Sequence, residues 1–357
     1  KNINYGSKLQ NYALQRKVET LGYRPENIDI TSSIATKPKS RISRLFKNPK
    51  LFQKYFYNRF LFRESLRKRK ESFDQYLSLH LNESTHLLEE LLDKDIQNKH
   101  YFKFICGSDQ IWAPNQFNKN FFLSFVREKR RKIAYAPSIG LPKLPEKLIP
   151  KYKELINDIE FLSVREKDGA NLINTISGRE AMVVADPTLL MTKEEWFEHA
   201  VRTEIDEPYI LCYFLGANKS HRQWVERLSR KTGHKIVVLP FATRDYYWGD
   251  QQVFAGPQEF IGLIDGASTV CTDSYHGMLF SLNLNKDFYS FLRFKDGDEL
   301  NQNSRVLNFL EKLNLMDRIV DLNTNNEYEA INWNSVNTSL ATERTRSIEY
   351  LKRSLEE

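Results

Sequence analysis

The sequence is poor in cysteine, in long apolar runs and in histidines at metal-binding spacing, and each shortage closes off a class of protein. Only Cys106, Cys212 and Cys271 occur in 357 residues. Each sits in an apolar, strand-like run, with neither a CxxC spacing nor an even disulfide framework, so buried thiols in a reducing cytoplasm are expected. No apolar run approaches the roughly 20 residues a membrane-spanning helix needs. The opening Lys1-Asn2-Ile3-Asn4 does not read as a signal peptide and, without an initiating Met, is compatible with a missing first strand. The 7 histidines are scattered, and none is spaced with Asp, Glu or another His as a preformed metal site requires, so no metal is expected. There is no internal repeat and no low-complexity tract.

What is present suits a globular enzyme. A hydrophobic content of 41% with 13% aromatics can fill sizeable cores, and the length suggests two domains at about 100–200 residues each. The net charge of +7 is a misleading average. Residues 37–70 hold 13 Lys and Arg against Glu64 alone, a local +12, so the remainder of the chain carries −5. Phenylalanines and tyrosines (Phe46, Phe52, Tyr55, Phe56, Tyr57, Phe60, Phe62) interleave with these cations. The stretch suits phosphates of a nucleic acid or an anionic membrane at about 1 kcal/mol per basic residue, and equally a solvated helical insertion packed on its domain. No nucleic-acid motif accompanies it, and no nucleic-acid partner is expected.

Along the chain, helix-like and strand-like segments alternate. Leu9, Tyr12, Ala13, Leu14, Val18 and Leu21 recur at helical spacing, Gly22 ends that helix, and Asn27 to Ile30 looks like a short strand. Further strands are predicted at 102–106, 132–136, 161–164, 182–185, 209–214, 235–239, 267–271 and 287–291. Helices are expected through Arg67 and Phe73, then at 151–159, 166–174, 193–200, 221–232 and 257–264, with a terminal helix from Ser335 capped around Ser339 or Thr342. Such alternation argues for parallel sheets covered on both faces. The predicted division is a first α/β domain over 1–192 with a basic insertion at about 37–75, a second over 193–330, and a C-terminal helix over 331–357.

Polar clusters fall at the strand ends, where open α/β folds bind ligands. The sharpest is Thr272-Asp273-Ser274-Tyr275-His276-Gly277, a buried strand, a tight turn and a helix start. The histidine can hold a proton or an anion near neutral pH, or simply pack at a helix start capped by Thr272, Asp273 or Ser274. Together with Asn4-Tyr5-Gly6…Leu9-Gln10, Gly107-Ser108-Asp109-Gln110-x-Trp112, Tyr135-Ala136-x-Ser138-x-Gly140, Ser163-Val164-Arg165-Glu166 and Asp186-Pro187-Thr188-Leu189-Leu190, this order resembles the polysaccharide pyruvyl transferase family. The resemblance spans residues 2 to about 315.

That resemblance implies two Rossmann-like halves facing a cleft, as in the glycosyltransferase-B arrangement, the first on the acceptor side and the second on the donor side. It implies transfer of the carboxyethenyl group of phosphoenolpyruvate onto a sugar as a pyruvate ketal, with phosphoenolpyruvate a co-substrate and no cofactor. His276 is then the acid/base or phosphate-binding group, and Asp109 a base for the attacking hydroxyl, an acceptor ligand or an ordinary cap. Arg165 is a donor ligand, bidentate toward an anion, or a structural partner of Glu166 or another acid. Better-known branches carry an arginine where Ser274 stands. Ser274 with the following amides, or Arg305, Lys286 or Arg293, would have to supply the missing anion contact. Asn4, Gly6, Ser108, Asp109 and Gln110 fall on the acceptor side, the glycine allowing close backbone approach. Trp112 stacks on a sugar face or fills the core, and Cys271 reads as core. The implied acceptor is a lipid-diphosphate-linked saccharide, with peripheral contact of residues 37–70 to the inner face of a membrane and a cytoplasmic location. The alternatives from sequence are a nucleotide-sugar glycosyltransferase of the same fold and a non-enzymatic polyanion- or lipid-binding protein.

Overall fold

A computed structural model describes residues 3–30, 60–295, 298, 301–322 and 329–357, so positions 37–59 of the basic stretch lie outside the described residues. Helix α1 (Tyr5–Thr20) begins where the Asn4 side chain accepts from the Ser7 amide at 3.2 Å. Helix α2 (Arg63–His80) and α3 (Lys94–His100) precede strand β1 (Phe104–Cys106). Then follow β2 (Lys132–Ala134), α4 (Ile149–Asn157), β3 (Phe161–Val164), α5 (Lys167–Ser177), β4 (Met182–Val183) and α6 (Lys193–His199). The second series is β5 (Tyr209–Tyr213), α7 (Lys219–Thr232), β6 (Lys235–Val238), β7 (Gln251–Gln252), α8 (Pro257–Gly266), β8 (Thr269–Thr272), α9 (Tyr275–Asn283) and β9 (Phe288–Ser290). Helices α10 (Ser304–Lys312) and α11 (Trp333–Glu356) close the described chain.

The strands form two wholly parallel sheets, ordered β1-β2-β3-β4 and β7-β6-β5-β8-β9. Every residue of β5 is buried, as expected of a parallel strand covered on both faces. The helices end by ordinary chemistry: Gly178 after α5 and Gly233 after α7 take positive φ of 73° and 74°, the left-handed cap that glycine adopts without a Cβ clash. In the second sheet the chain leaves β5 toward β6 on one side and later returns to β8 on the other. That reversal opens a crevice at the carboxyl ends of β5 and β8, where the 272–277 turn lies.

Helix α1 belongs to both halves. Leu9, Tyr12 and Ala13 join the core of the second sheet, with the Tyr5 ring stacked on Phe260 at 4.5 Å, while Leu14 and Val18 pack with Ile133 and Tyr135 of the first. Helix α11 returns to the first sheet: Tyr350 donates to the Ala134 carbonyl at 3.0 Å, and Ser347 accepts from the Ala185 amide at 2.8 Å.

Several boundaries differ from those read in the sequence. Asn27–Ile30 is not a strand; it makes one bridge, Asn27 to Glu83, and the Asn27 side chain donates to Gln15 at 2.7 Å. Helix α11 starts at Trp333 and is capped by Asn332, not by Ser339 or Thr342. Strand β2 stops at Ala134 because Ala136 takes a φ of 57°. Strand β4 stops at Val183; the Ala185 amide that would extend the ladder is taken by Ser347.

Candidate active site

Three strand ends of the first sheet and one helix start of the second converge on a single carboxylate, Asp186. Its Oδ2 accepts from Ser108 Oγ at 3.0 Å and from Arg165 Nη1 at 2.8 Å, and stands 3.6 Å from His276 Nε2. Its Oδ1 accepts from the Thr188 amide at 3.0 Å and the Thr188 hydroxyl at 2.8 Å. The side chain is fully buried. Burial opposes its charge, yet the His276 imidazole and the Arg165 guanidinium beside it hold the carboxyl well below the usual carboxylate range. The sequence places Asp186 in a polar cluster after a strand but assigns it no role, since nothing in the chain order shows that Ser108, Arg165 and His276 meet there.

Arg165 is also buried. Burial works against its charge, and Glu166 and Asp186 more than restore it, so its pKa stands above the ordinary value. Its Nε lies 3.6 Å from Glu166 Oε2, and the other Glu166 oxygen accepts from Ser138 Oγ. The ion-pair role left open in the sequence is therefore present. It leaves Nη2 sealed and without a partner.

The turn of the second sheet is ordered as its sequence suggests. Ser274 caps α9, its Oγ accepting from the Gly277 amide at 3.3 Å, which leaves its hydroxyl proton to donate. Asp273 is spent on structure, accepting from the Leu215 and Gly216 amides at 2.6 and 2.8 Å and so fixing the loop after β5; burial raises its pKa. Tyr275 brings the cations together. The Arg165 guanidinium lies 4.6 Å from its ring centroid and that of Arg305 lies 5.5 Å away, at cation–π distance.

Arg305, on α10, is nine-tenths buried and reaches no carboxylate among the described residues. Its hydrogen bonds go to Gln302, to the carbonyl at 3.4 Å and to Oε1 at 3.2 Å. Burial and then the neighbouring Arg165 pull its pKa down to about 10. Of the other substitutes considered for the cation missing at 274, Lys286 is paired with Asp265 at 3.3 Å, and Arg293 lies over the Phe294 ring with its stem against Gly216.

The acceptor-side residues separate. Ser108 is buried and turned to Asp186, and Asn4 is occupied in capping α1. Gly6 does allow a close approach, but to protein: a Cβ there would fall 2.1 Å from His276 Nδ1. Asp109 and Gln110 remain at the edge. Asp109 takes a φ of 74° and its Oδ1 accepts from the Gln110 amide at 2.9 Å; no helix follows it. Non-glycine residues in this conformation cost on the order of 1–3 kcal/mol and cluster at functional sites, and Asp109 and Ala136 do so at the ends of adjacent strands. The Gln110 amide nitrogen is buried without a partner against Gly140. Trp112 is core, stacked on Phe122 at 4.6 Å, and Cys271 is fully buried.

Among the described residues no group of three or more His, Cys, Asp or Glu is placed to hold a metal ion, and no helix is long and apolar enough to cross a membrane. A cavity of about 260 Å³ lined by Tyr12, Arg16, Glu195 and His199 among others shares no residue with the Asp186 cluster. The buried charges and unsatisfied donors of the cluster make it the candidate site.

The family model for polysaccharide pyruvyl transferase matches residues 4–293. No curated protein matches the chain. Among solved structures, the UDP-GlcNAc 2-epimerase of Neisseria meningitidis bound to UDP-GlcNAc shares 12% identity over 79% of this chain and 82% of its own, with a TM-score of 0.43. The Methanocaldococcus jannaschii UDP-GlcNAc 2-epimerase in complex with UDP-GlcNAc and UDP shares 11% over 94% and 96%, at 0.42. The E. coli heptosyltransferase WaaC with ADP shares 14% over 61% and 75%, at 0.33.

Proposed function

The chain belongs to the polysaccharide pyruvyl transferase family, and from that premise we propose that it transfers the carboxyethenyl group of phosphoenolpyruvate to a sugar of a surface-polysaccharide or lipid-linked oligosaccharide intermediate. The observation that carries this reading is the pair of buried guanidinium groups, Arg165 and Arg305, gathered at Tyr275 beside His276. A donor bearing both a carboxylate and a phosphate supplies the negative charge that Arg305 lacks among the described residues and that Arg165 Nη2 is free to bond. A buried cation without such a partner is costly.

Ketal formation then follows from the groups present. His276 gives a proton to the methylene carbon. A sugar hydroxyl oxygen attacks the adjacent carbon as positive charge develops there, phosphate leaves, and a second hydroxyl closes the ring. Two hydroxyl protons are released: one balances the proton given to the methylene carbon and the other leaves with phosphate. Asp109, at the edge of the cluster, is proposed as the base for the attacking hydroxyl, with Gln110 as its neighbour on the acceptor. Ser274 donates its remaining hydroxyl proton to the donor. Ser108 acts from beneath, through Asp186.

The acceptor is proposed to be lipid-diphosphate-linked, with residues 37–70 held at an anionic membrane surface by their local +12. In the described part of that stretch some charge is already used: Arg67 pairs with Glu71 at 2.7 Å, Lys70 with Asp74 at 2.6 Å, and buried Arg69 donates to the Pro240 carbonyl at 2.6 Å. The deciding experiment incubates the protein with phosphoenolpyruvate and candidate glycosides, following phosphate release and the mass gain of the glycoside. Phosphate appearing with a pyruvylated product supports the reading. Consumption of a nucleotide sugar, with no phosphate from any acceptor, overturns it in favour of a glycosyltransferase.

A further inference from the structure

The charge cluster has a second consequence, one that concerns which face of a ring does the work. We infer that Asp186 is a positioning residue that selects the reacting nitrogen of His276: Nε2 is turned to the Asp186 carboxylate, and Nδ1, beside Gly6, exchanges the proton with the substrate. The inference rests on the proposed acid role of His276, although its test does not.

The geometry supplies both halves of the argument. Nε2 stands 3.6 Å from Asp186 Oδ2, sealed from solvent and without a hydrogen-bond partner. That is ion-pair distance, slightly long for a hydrogen bond, and such contacts often tighten when substrate binds. An ionised carboxylate only accepts hydrogen bonds, so the nitrogen facing it carries the proton. The neutral ring is then the Nε2–H tautomer with its lone pair on Nδ1, and a proton gained or lost during turnover moves at Nδ1. On that side the first turn of α1 comes close. A Cβ on residue 6 would lie 2.1 Å from Nδ1 and 2.2 Å from Cγ, so glycine is what lets this edge of the imidazole sit where it does.

Asp186 can hold this role because its other partners fix it. Thr188 and Ser108 restrain its oxygens, and Arg165 shares Oδ2. The other charged and titratable groups of the cluster are Tyr275, whose ring lies 5.8 Å from the imidazole, and Arg165, Glu166, Asp109 and Arg305, which act on one another around it. Of the acids among the described residues, only Asp186 comes within 4.0 Å of the ring.

The test reads the ring itself. Histidine-labelled protein is followed by nitrogen NMR across pH, with His276 identified by its disappearance in His276→Gln. The expected wild-type result is a neutral ring in the Nε2–H form; a dominant Nδ1–H form overturns the inference without any further variant. In folded Asp186→Asn the neutral ring should lose its preference for Nε2–H, since an asparagine side chain can donate as well as accept. Thr188→Val, which removes a hydrogen bond to Asp186 but no charge, should keep that preference. An unchanged preference in folded Asp186→Asn, or an equal loss in both variants, overturns the assignment. Phosphoenolpyruvate is absent from these samples, so failure of the proposed donor in the turnover assay leaves this result unaffected.

Discussion

Replacing Gly6 by alanine tests the packing of the site with one methyl group. The new Cβ would stand 2.1 Å from His276 Nδ1 and 2.8 Å from its Cβ, against an ordinary contact of roughly 3.4 Å, so something must retreat by about 1.3 Å. Helix α1 is poorly able to do so. The adjoining Tyr5 ring is stacked on Phe260 and its hydroxyl donates to the Ala255 carbonyl at 2.8 Å. The imidazole therefore moves, and its 3.6 Å relation to Asp186 is lost. Misplacement of a catalytic group by about 1 Å costs on the order of 10²-fold, and that is the fall expected in kcat, read as phosphate release from phosphoenolpyruvate. Stability should change far less. Overpacking costs about 1–3 kcal/mol, offset by up to about 1 kcal/mol from replacing glycine within a helix. The control is Gly169→Ala in α5, where the nearest atoms would lie at 3.7 Å; it should keep full activity. If Gly6→Ala works within threefold of the wild type, the contact does not position His276 and the reasoning fails.

Arg305→Gln should raise the apparent KM for the donor at least tenfold while the melting temperature holds or rises, because a buried cation without a carboxylate partner among the described residues is removed; a clear loss of stability would show that its charge is already compensated. Arg165→Ala should behave differently. It strands Asp186 and Glu166, costing about 3–5 kcal/mol, and raises the donor KM much more than the acceptor KM; equal effects on the two would sink its donor role. Stability should also fall in mild acid. Burial and then a charged neighbour, His80 for His199 and Arg222 for His221, bring their pKa values to about 3 and about 4. The unfolded chain thus binds more protons below about pH 6.5, at about 1.4 kcal/mol per unit and group. His199→Phe should flatten that slope in denaturant titrations. The depressed carboxyl of Asp186 adds its own loss only as the pH falls below about 4; a stability flat from pH 7 to 5 would contradict the histidine assignment.

Much of the site could be read from the sequence because strand ends announce themselves. A buried apolar run that breaks at Thr272-Asp273-Ser274 can hardly be anything but a strand, a turn and a cap, and Ser274 is the cap. The alternation of segments likewise gives the parallel sheets, with most strand starts close to those found. What escaped depends on contacts distant in the chain. The end of β4 is set by a hydroxyl 162 residues away, on Ser347. The burial of Ser108 and the occupation of Asn4 were invisible, since the motif shows a polar residue but not the direction it faces. Asp186 was one polar strand end among several, in an Asp-Pro-Thr stretch that reads as an ordinary turn. It is a turn residue here too, accepting from the Thr188 amide, and only the fold brings Arg165 and His276 to its other oxygen.

Helix α9 is fastened at both ends to the segment that follows β4. Its first turn places His276 at Asp186, and at its last residue Asn283 donates to the Thr188 and Met191 carbonyls at 3.2 and 3.0 Å. Arg344 of α11 tightens the same joint, bonding the Leu189 carbonyl at 2.7 Å and Asn283 Oδ1 at 3.2 Å. Across the edge formed by Asp109 and Gln110 on one side and Gln302 and Arg305 on the other, no hydrogen bond joins the two halves among the described residues. The molecule is thus seamed along one margin and unlatched along the other. A substrate reaching the arginines from that edge would break no hydrogen bond between the halves, whereas one entering along the Asn283 margin would have to break several.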